Sequence, residues 1–106
     1  MDITPLTYEI LLALADANRH GYGMIKEIES RGGTPPSTGA MYLALHRMSA
    51  EGLVKEVPPP SDSEDGRRKY YGLTTRGREA AERESRRISR LVAAARAKKL
   101  LKEDAA

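Results

Sequence analysis

Phenylalanine, tryptophan and cysteine are all absent from this 106-residue chain. Without cysteine there are no disulfides and no thiolate metal sites, and nothing argues for an oxidising compartment. Without Phe and Trp the core must come from Leu, Ile, Val, Met, Ala and the tyrosines. So light an apolar content leaves a lone domain of this length marginal, which points toward oligomerisation. The two histidines, His20 and His46, fall in different predicted elements. No Cys–His, Ser–His–Asp or paired-carboxylate constellation stands at usable spacing, so a small enzyme is the least supported class and no metal or cofactor is implied. No apolar run approaches the roughly 20 residues that cross a bilayer, and the N-terminus lacks a charged-then-apolar leader. The expectation is one cytoplasmic protein without a membrane partner.

Positive charge is scarce where it would be most informative. The formal net charge is +3, but residues 1–75 hold 8 Lys/Arg against 10 Asp/Glu, while residues 76–102 hold 10 against 3. If the N-terminal part meets nucleic acid, it does so through local placement of a few cations rather than bulk charge.

What is present is a regular succession of start and stop signals. Thr4-Pro5 opens a first helix, with Thr4 as cap and Pro5 where its missing amide costs nothing. Leu6, Ile10, Leu11, Ala13 and Leu14 give its apolar face, and it is expected to end near Ala17. Asn18-Arg19-His20-Gly21 reads as a turn. A second helix is expected from about Tyr22 to Arg31, with Met24, Ile25 and Ile28 inward. Gly32-Gly33-Thr34-Pro35-Pro36 breaks it. A third helix then runs through STGAMYLALHRMSAEGLV, with Ser37 or Thr38 as cap and Glu51-Gly52 as its end. Met41, Ala44, Leu45 and Met48 form its inner stripe. The outward face holds Gly39, Leu43, His46, Arg47 and Ala50, with Ser37, Thr38 and Tyr42 near the N-terminal flank. That face is small, flat and poor in charge, suited to lying in a DNA major groove.

After Gly52 the period changes. Leu53–Val57 is β-compatible, the stretch from Pro58 to Gly66 is an exposed loop, and Arg67–Leu73 is a second strand. A hairpin after a helix-turn-helix is the wing of a winged helix. Thr74 is expected to cap a final helix through about Lys102, with Ala81, Ile88, Leu91, Val92, Ala95 and Leu100 or Leu101 in a thin apolar stripe. A lone helix with such a stripe packs most economically on its twin in a homodimer. The fold expected is mostly α with a small β-hairpin: a winged-helix DNA-binding domain over residues 1–74, then a dimerisation helix and tail over 75–106.

The candidate residues each carry two readings. Ser37 and Thr38 are caps that could also reach a phosphate, since helix N-termini favour anions. Tyr42 is a half-buried ring or a phosphate contact, and Tyr22 presents its hydroxyl to the DNA backbone or joins the core. His46 is a solvated helix residue or a base reader. Arg47 contacts a phosphate or pairs within its helix. Leu43 could meet a thymine methyl. Arg67, Arg68 and Lys69 alternate faces if they lie in a strand, and either grip phosphates or the minor groove, or edge a solvated hairpin. Asp62, Glu64 and Asp65 precede these cations and could pair with them. Ile88, Leu91, Val92 and Ala95 are the dimerisation candidates, while Arg83, Arg86, Arg87 and Arg90 read as a solvated face.

HGYGMIKEIESRGG (His20–Gly33), STGAMYLALHRMSAEGLV and RRKYYGLTTRGREAA (Arg67–Ala81) together resemble the PadR family of bacterial transcriptional regulators. The last segment also resembles winged-helix regulators of the MarR type. The resemblance runs from about Leu6 to Ala81. It implies a homodimeric winged-helix repressor, joined through the C-terminal region, on a pseudo-palindromic operator in double-stranded DNA. Leu43 departs from the family, which commonly has Pro there. The single C-terminal helix places the chain with the family's short members. Some of those bind flat ligands between protomers through an aromatic residue. With no Trp and no tyrosine after Tyr71, no ligand site is carried over here, and an unidentified small-molecule effector stays open as a partner. The rival from another class is a winged-helix protein-interaction module that docks its flat helix face on a partner protein.

Overall fold

Local signals set most of the helix starts. The computed structural model describes residues 3–61 and 68–102. Within it, helix α1 (Pro5–Ala13) is followed by strand β1 (Arg19–His20), helices α2 (Gly21–Ser30) and α3 (Thr38–Ala50), strands β2 (Val54–Val57) and β3 (Tyr70–Leu73), and helix α4 (Thr75–Ala97). Thr4 caps α1 by accepting from the Thr7 amide at 3.1 Å. Ser37, not Thr38, caps α3, accepting from Ala40 N at 3.1 Å. Thr74 caps α4 through Gly77 N at 2.9 Å. Such caps satisfy amides the helix itself cannot.

Helix α1 stops four residues short of the expected Ala17. The Ala13 carbonyl accepts from Arg19 Nε at 2.8 Å and the Ala15 carbonyl from Arg78 Nη2 at 2.9 Å. Guanidinium groups thus take carbonyls that later backbone amides would hold in a longer helix. Arg19–His20, expected as part of a turn, is a short strand. It pairs antiparallel with β3, Arg19 opposite Tyr71 and His20 opposite Tyr70. The expected hairpin is therefore a three-stranded sheet in the order β1-β3-β2. Strand β3 starts at Tyr70, so Arg68 and Lys69 precede it and the alternation expected of them as strand residues does not apply. Arg67 and the acidic residues Asp62, Glu64 and Asp65 lie outside the described residues.

Gly52 ends α3 as expected, at φ 77°. The Leu53 amide then reaches back to the Met48 carbonyl at 2.9 Å and the Gly52 amide to Ser49 at 3.1 Å. This paired closure puts one residue in the left-handed region, which glycine enters most readily because it has no Cβ to clash. The same closure ends α4 at Ala97, with Lys99 at φ 64° and Leu100 N on the Ala95 carbonyl at 2.9 Å. The helix is thus shorter than the expected run to Lys102, and Leu100 and Leu101 lie beyond its end, exposed.

The core sits where α1, α2 and α3 meet the sheet and the start of α4. Ile10, Leu11, Met24, Ile28, Met41, Leu45, Met48 and Leu53 are its largest fully buried side chains. Tyr71 packs against this core, while Tyr70 meets the His20 ring edge-on at 5.2 Å. Helix α4 enters the core through Gly77 and Ala80 and then leaves it. Among the described residues its last hydrogen bond to another element joins Ser85 Oγ to the Tyr8 hydroxyl on α1, at 2.7 Å. At 23 residues a helix spans about 34 Å, in keeping with a long axis of 49 Å against 28 and 24 Å for the other two. Past Ser85 the stripe of Ile88, Leu91, Val92 and Ala95 continues, with Leu91 55% exposed.

Candidate nucleic-acid interface

The inner stripe of α3 is buried as its spacing requires, which fixes the opposite flank outward. Met41, Ala44, Leu45 and Met48 are buried; Ser37, Thr38, Gly39, Tyr42, Leu43, His46, Arg47 and Ala50 are exposed. Leu43 is the most exposed of the large apolar side chains on that helix, at 72%. It overhangs an apolar cleft formed with Thr4, Leu6, Ala40 and Ala44.

Arg47, though exposed on that flank, is held by neighbours in its own protein. Its Nη2 donates to the hydroxyl of buried Thr7 on α1 at 2.7 Å, and its Nε lies 3.7 Å from Glu51. The Glu51 ion pair is the intrahelical pairing open from sequence, and the Thr7 hydrogen bond adds a partner on another helix. His46 is exposed on the same helix.

Tyr42 joins α3 to the second helix. A Cβ on Gly21 would lie 2.9 Å from its hydroxyl, so the ring rests on the first residue of α2 while staying 45% exposed. Burial raises the Tyr71 pKa first, and the charges of Glu56 and Tyr42 add to this. Tyr42 makes the exposed flank of α3 contiguous with the start of α2, and His20, just before α2, meets Tyr70 at the base of the wing.

At that junction stands a basic aromatic cluster that sequence reasoning saw only in part. Tyr22 is 54% exposed, its ring stacked on His20 at 6.3 Å. Lys26 Nζ lies 5.4 Å from the centre of the Tyr22 ring and Arg68 Cζ 5.9 Å. Cations over an aromatic face are drawn to its negative quadrupole. The Lys26 ammonium is held above its usual pKa, by Tyr22 first and then by Glu29. Lys69 pairs loosely with Glu56 across the hairpin, at 4.0 Å. Of the wing cations, Arg68 thus belongs to the junction. The two residues missed are His20 and Lys26. His20 caps α2 through Nδ1, which accepts from Gly23 N at 3.0 Å. Histidine is not among the usual capping residues, so no start signal marked it. Its neighbours Arg68 and Tyr70 come from a distant part of the chain.

Among the described residues no group of three or more His, Asp or Glu is placed to hold a metal ion, and no helix is long and apolar enough to cross a membrane. The model of the transcriptional regulator PadR-like family matches residues 10–83. The chain belongs to the PadR-like family. A solved PadR family transcription regulator from Clostridium difficile is 30% identical to this PadR-like chain, with a TM-score of 0.74, covering 84% of this chain and 92% of that one. PadR of Bacillus subtilis, crystallised in complex with operator DNA, has a TM-score of 0.64 at 20% identity, over 74% of this chain and 45% of that one. Apo MarR of E. coli has a TM-score of 0.75 at 23% identity, over 97% and 70% of the two chains. At those identities the two share the winged-helix fold with this PadR-like protein. A 37.1 kDa protein in transposon TN4556 of Streptomyces fradiae is 39% identical over 82 residues, and the chain spans 22% of that relative's length.

Proposed function

We propose that this PadR-like protein is a sequence-specific DNA-binding regulator, acting as a homodimeric repressor on a pseudo-palindromic operator. The observation that carries this reading is the division of labour at the junction. The exposed flank of α3 offers mostly small and apolar side chains, while Lys26 and Arg68 gather over Tyr22 at the start of α2. A flank poor in charge can approach base edges, and cations set to the side meet the phosphates that fix its register. Leu43 reads bases, with Thr38, Tyr42 and His46 beside it. Tyr22, Arg68 and Lys69 serve the backbone, and Ser37 holds the helix start. That B. subtilis PadR was crystallised with operator DNA supports DNA as the partner. Arg47, tied to Thr7, supports α3 from behind in this scheme.

Two copies join through the α4 stripe of Ile88, Leu91, Val92 and Ala95, with residues 1–74 as the DNA-binding domain and 75–106 as the dimerising part. Two-fold symmetry places half-sites about 10 bp apart, or a multiple of that spacing. Selection from a random duplex pool tests the whole reading. A recovered palindrome at that spacing is the expected result, and no enrichment after repeated rounds overturns it.

Two substitutions divide the interface. Replacing Arg67 and Arg68 together with alanine should weaken binding across all sequences and lower the salt slope by up to about one unit per lost phosphate contact. An unchanged slope removes the wing from the interface. Leu43→Ala should instead relax base preference at one position of each half-site while leaving the slope alone. Retained preference there would discount the thymine-methyl contact.

A further inference from the structure

Helix α4 carries a row of cations along one edge. Arg76, Arg83, Arg87 and Arg90 follow at steps of seven, four and three, which stacks them along one side of a helix. Leu53, Thr75, Arg76, Glu79 and Arg83 line one surface groove, and Ile3, Ala80, Arg83, Glu84, Arg87 and Arg90 line the next. Arg83 belongs to both, so the row is continuous, over about 21 Å of helix. At about 100° per residue it points about a third of a turn away from Ile88, Leu91, Val92 and Ala95, so the proposed dimer contact leaves it open. All four arginines are exposed. Arg87 donates from Nε to Glu84 at 2.9 Å. Among the described residues the side chains of Arg76, Arg83, Arg90 and Glu79 make no ion pair or hydrogen bond. Four guanidinium groups against the carboxylates of Glu79 and Glu84 leave the edge positive.

Such an edge attracts a polyanion. It lacks the exposed apolar anchor on which a protein contact depends. The large apolar side chains and alanine that line the two grooves are Leu53 and Ala80, both buried, and half-buried Ile3. A duplex needs no anchor of that kind. It presents about six phosphates per strand over 21 Å, and the guanidinium fork suits a phosphate. The place of the row sets it apart from the reading head. Arg76 Cδ lies 3.7 Å from where a Cβ on Gly52 would stand, at the C-terminal end of α3. A recognition helix contacts bases through its N-terminal residues, whereas the row starts at the other end and follows α4 out of the core. We propose that the arginine row of α4 binds the backbone of a second segment of duplex DNA, without regard to sequence, so that one dimer bridges two duplexes. This contact goes beyond the operator reading and uses none of the residues assigned to it.

The test is a triple variant, Arg83→Gln with Arg87→Gln and Arg90→Gln, beside its charge-preserving counterpart in which the same three become lysine. Arg76 stays, because it packs against Gly52. An arbitrary duplex of roughly 30 bp, long enough for several phosphate contacts, is the probe, read by fluorescence anisotropy over a salt series. The same duplex held on beads reports bridging by its capture of a labelled copy. The glutamine variant should lower the salt slope by about two to three units, near one for each lost phosphate contact, and should abolish capture. The lysine variant should keep most of both, since lysine still meets a phosphate as a point charge. Both should stay dimeric in sedimentation and melt with the wild type. Wild-type slope or capture in the glutamine variant, a lysine variant as weak as the glutamine one, or a loss that follows melting or dissociation would each overturn the proposal. Polyglutamate that displaces the probe better than unlabelled duplex at equal charge would assign the edge to an acidic protein instead. The two readings fail separately. A glutamine variant with wild-type capture leaves the operator reading standing, and row-dependent capture by a protein that selects no palindrome removes that reading alone.

Discussion

Gly77→Ala is expected to cost about 3 kcal/mol or more, enough to leave a marginal domain largely unfolded. A Cβ at this position would overlap the Leu53 carbonyl oxygen, lie 3.0 Å from the Leu53 carbonyl carbon and meet Leu73 Cδ2 at 3.3 Å. The first two are backbone atoms and cannot rotate away. Nor can the strand easily withdraw, because the Leu53 carbonyl accepts from the Thr74 amide at 3.2 Å and from its hydroxyl at 3.1 Å. That hydroxyl also donates to the Gly52 carbonyl at 2.6 Å and accepts from the Gly77 amide. One threonine thus seals the start of α4 to the end of α3, and the glycine allows the helix to come that close. Gly39→Ala is the matching control. Nothing lies within 4 Å of a Cβ there, so the change should be neutral or stabilise by about 0.5 kcal/mol. Urea midpoints for both variants measure the contrast, and a wild-type midpoint for Gly77→Ala would contradict the close approach.

Leu91→Glu combined with Val92→Glu should turn the protein into a monomer and weaken operator binding by a hundredfold or more. Linking two binding modules raises affinity by about 10²–10⁴ with no new contact at either site. In the proposed dimer, charges placed mid-stripe would face each other across the two-fold axis with no compensating partner. Among the described residues the substitutions lie beyond the last hydrogen bond from α4 to another element, so the fold should be kept. Sedimentation beside an operator titration measures both effects. A variant that remains dimeric would move the contact to another surface.

The elements that sequence reasoning placed well carry their signals within a few residues. Thr4-Pro5, Glu51-Gly52 and Thr74 each act on amides or carbonyls one turn away. The stripe of α3 was legible for the same reason, because burial repeats at the helical period. What escaped is fixed by distant partners. Two residues are too few to show alternation, so β1 is visible only once Tyr70 and Tyr71 lie beside it. The early end of α1 depends on Arg19 and Arg78, and the latter arrives with α4. Arg47 was open between a phosphate and a pair within its helix, yet its hydrogen bond goes to Thr7, forty positions earlier in the chain. At the candidate interface, Tyr22, Tyr42 and Leu43 were readable as outward residues of a helix flank. The part played by His20 was not, because it depends on which ring nitrogen a backbone amide selects.

Helix α1 holds a mechanical position between two parts of the molecule. Thr7 is gripped by Arg47 of α3, and its immediate neighbour Tyr8 is gripped by Ser85 of α4. With adjacent residues anchored to different helices, α1 works like a crank: it cannot swivel about its axis without shifting both anchors at once. Any torque on α4 is therefore passed to α3 through two adjacent residues of α1.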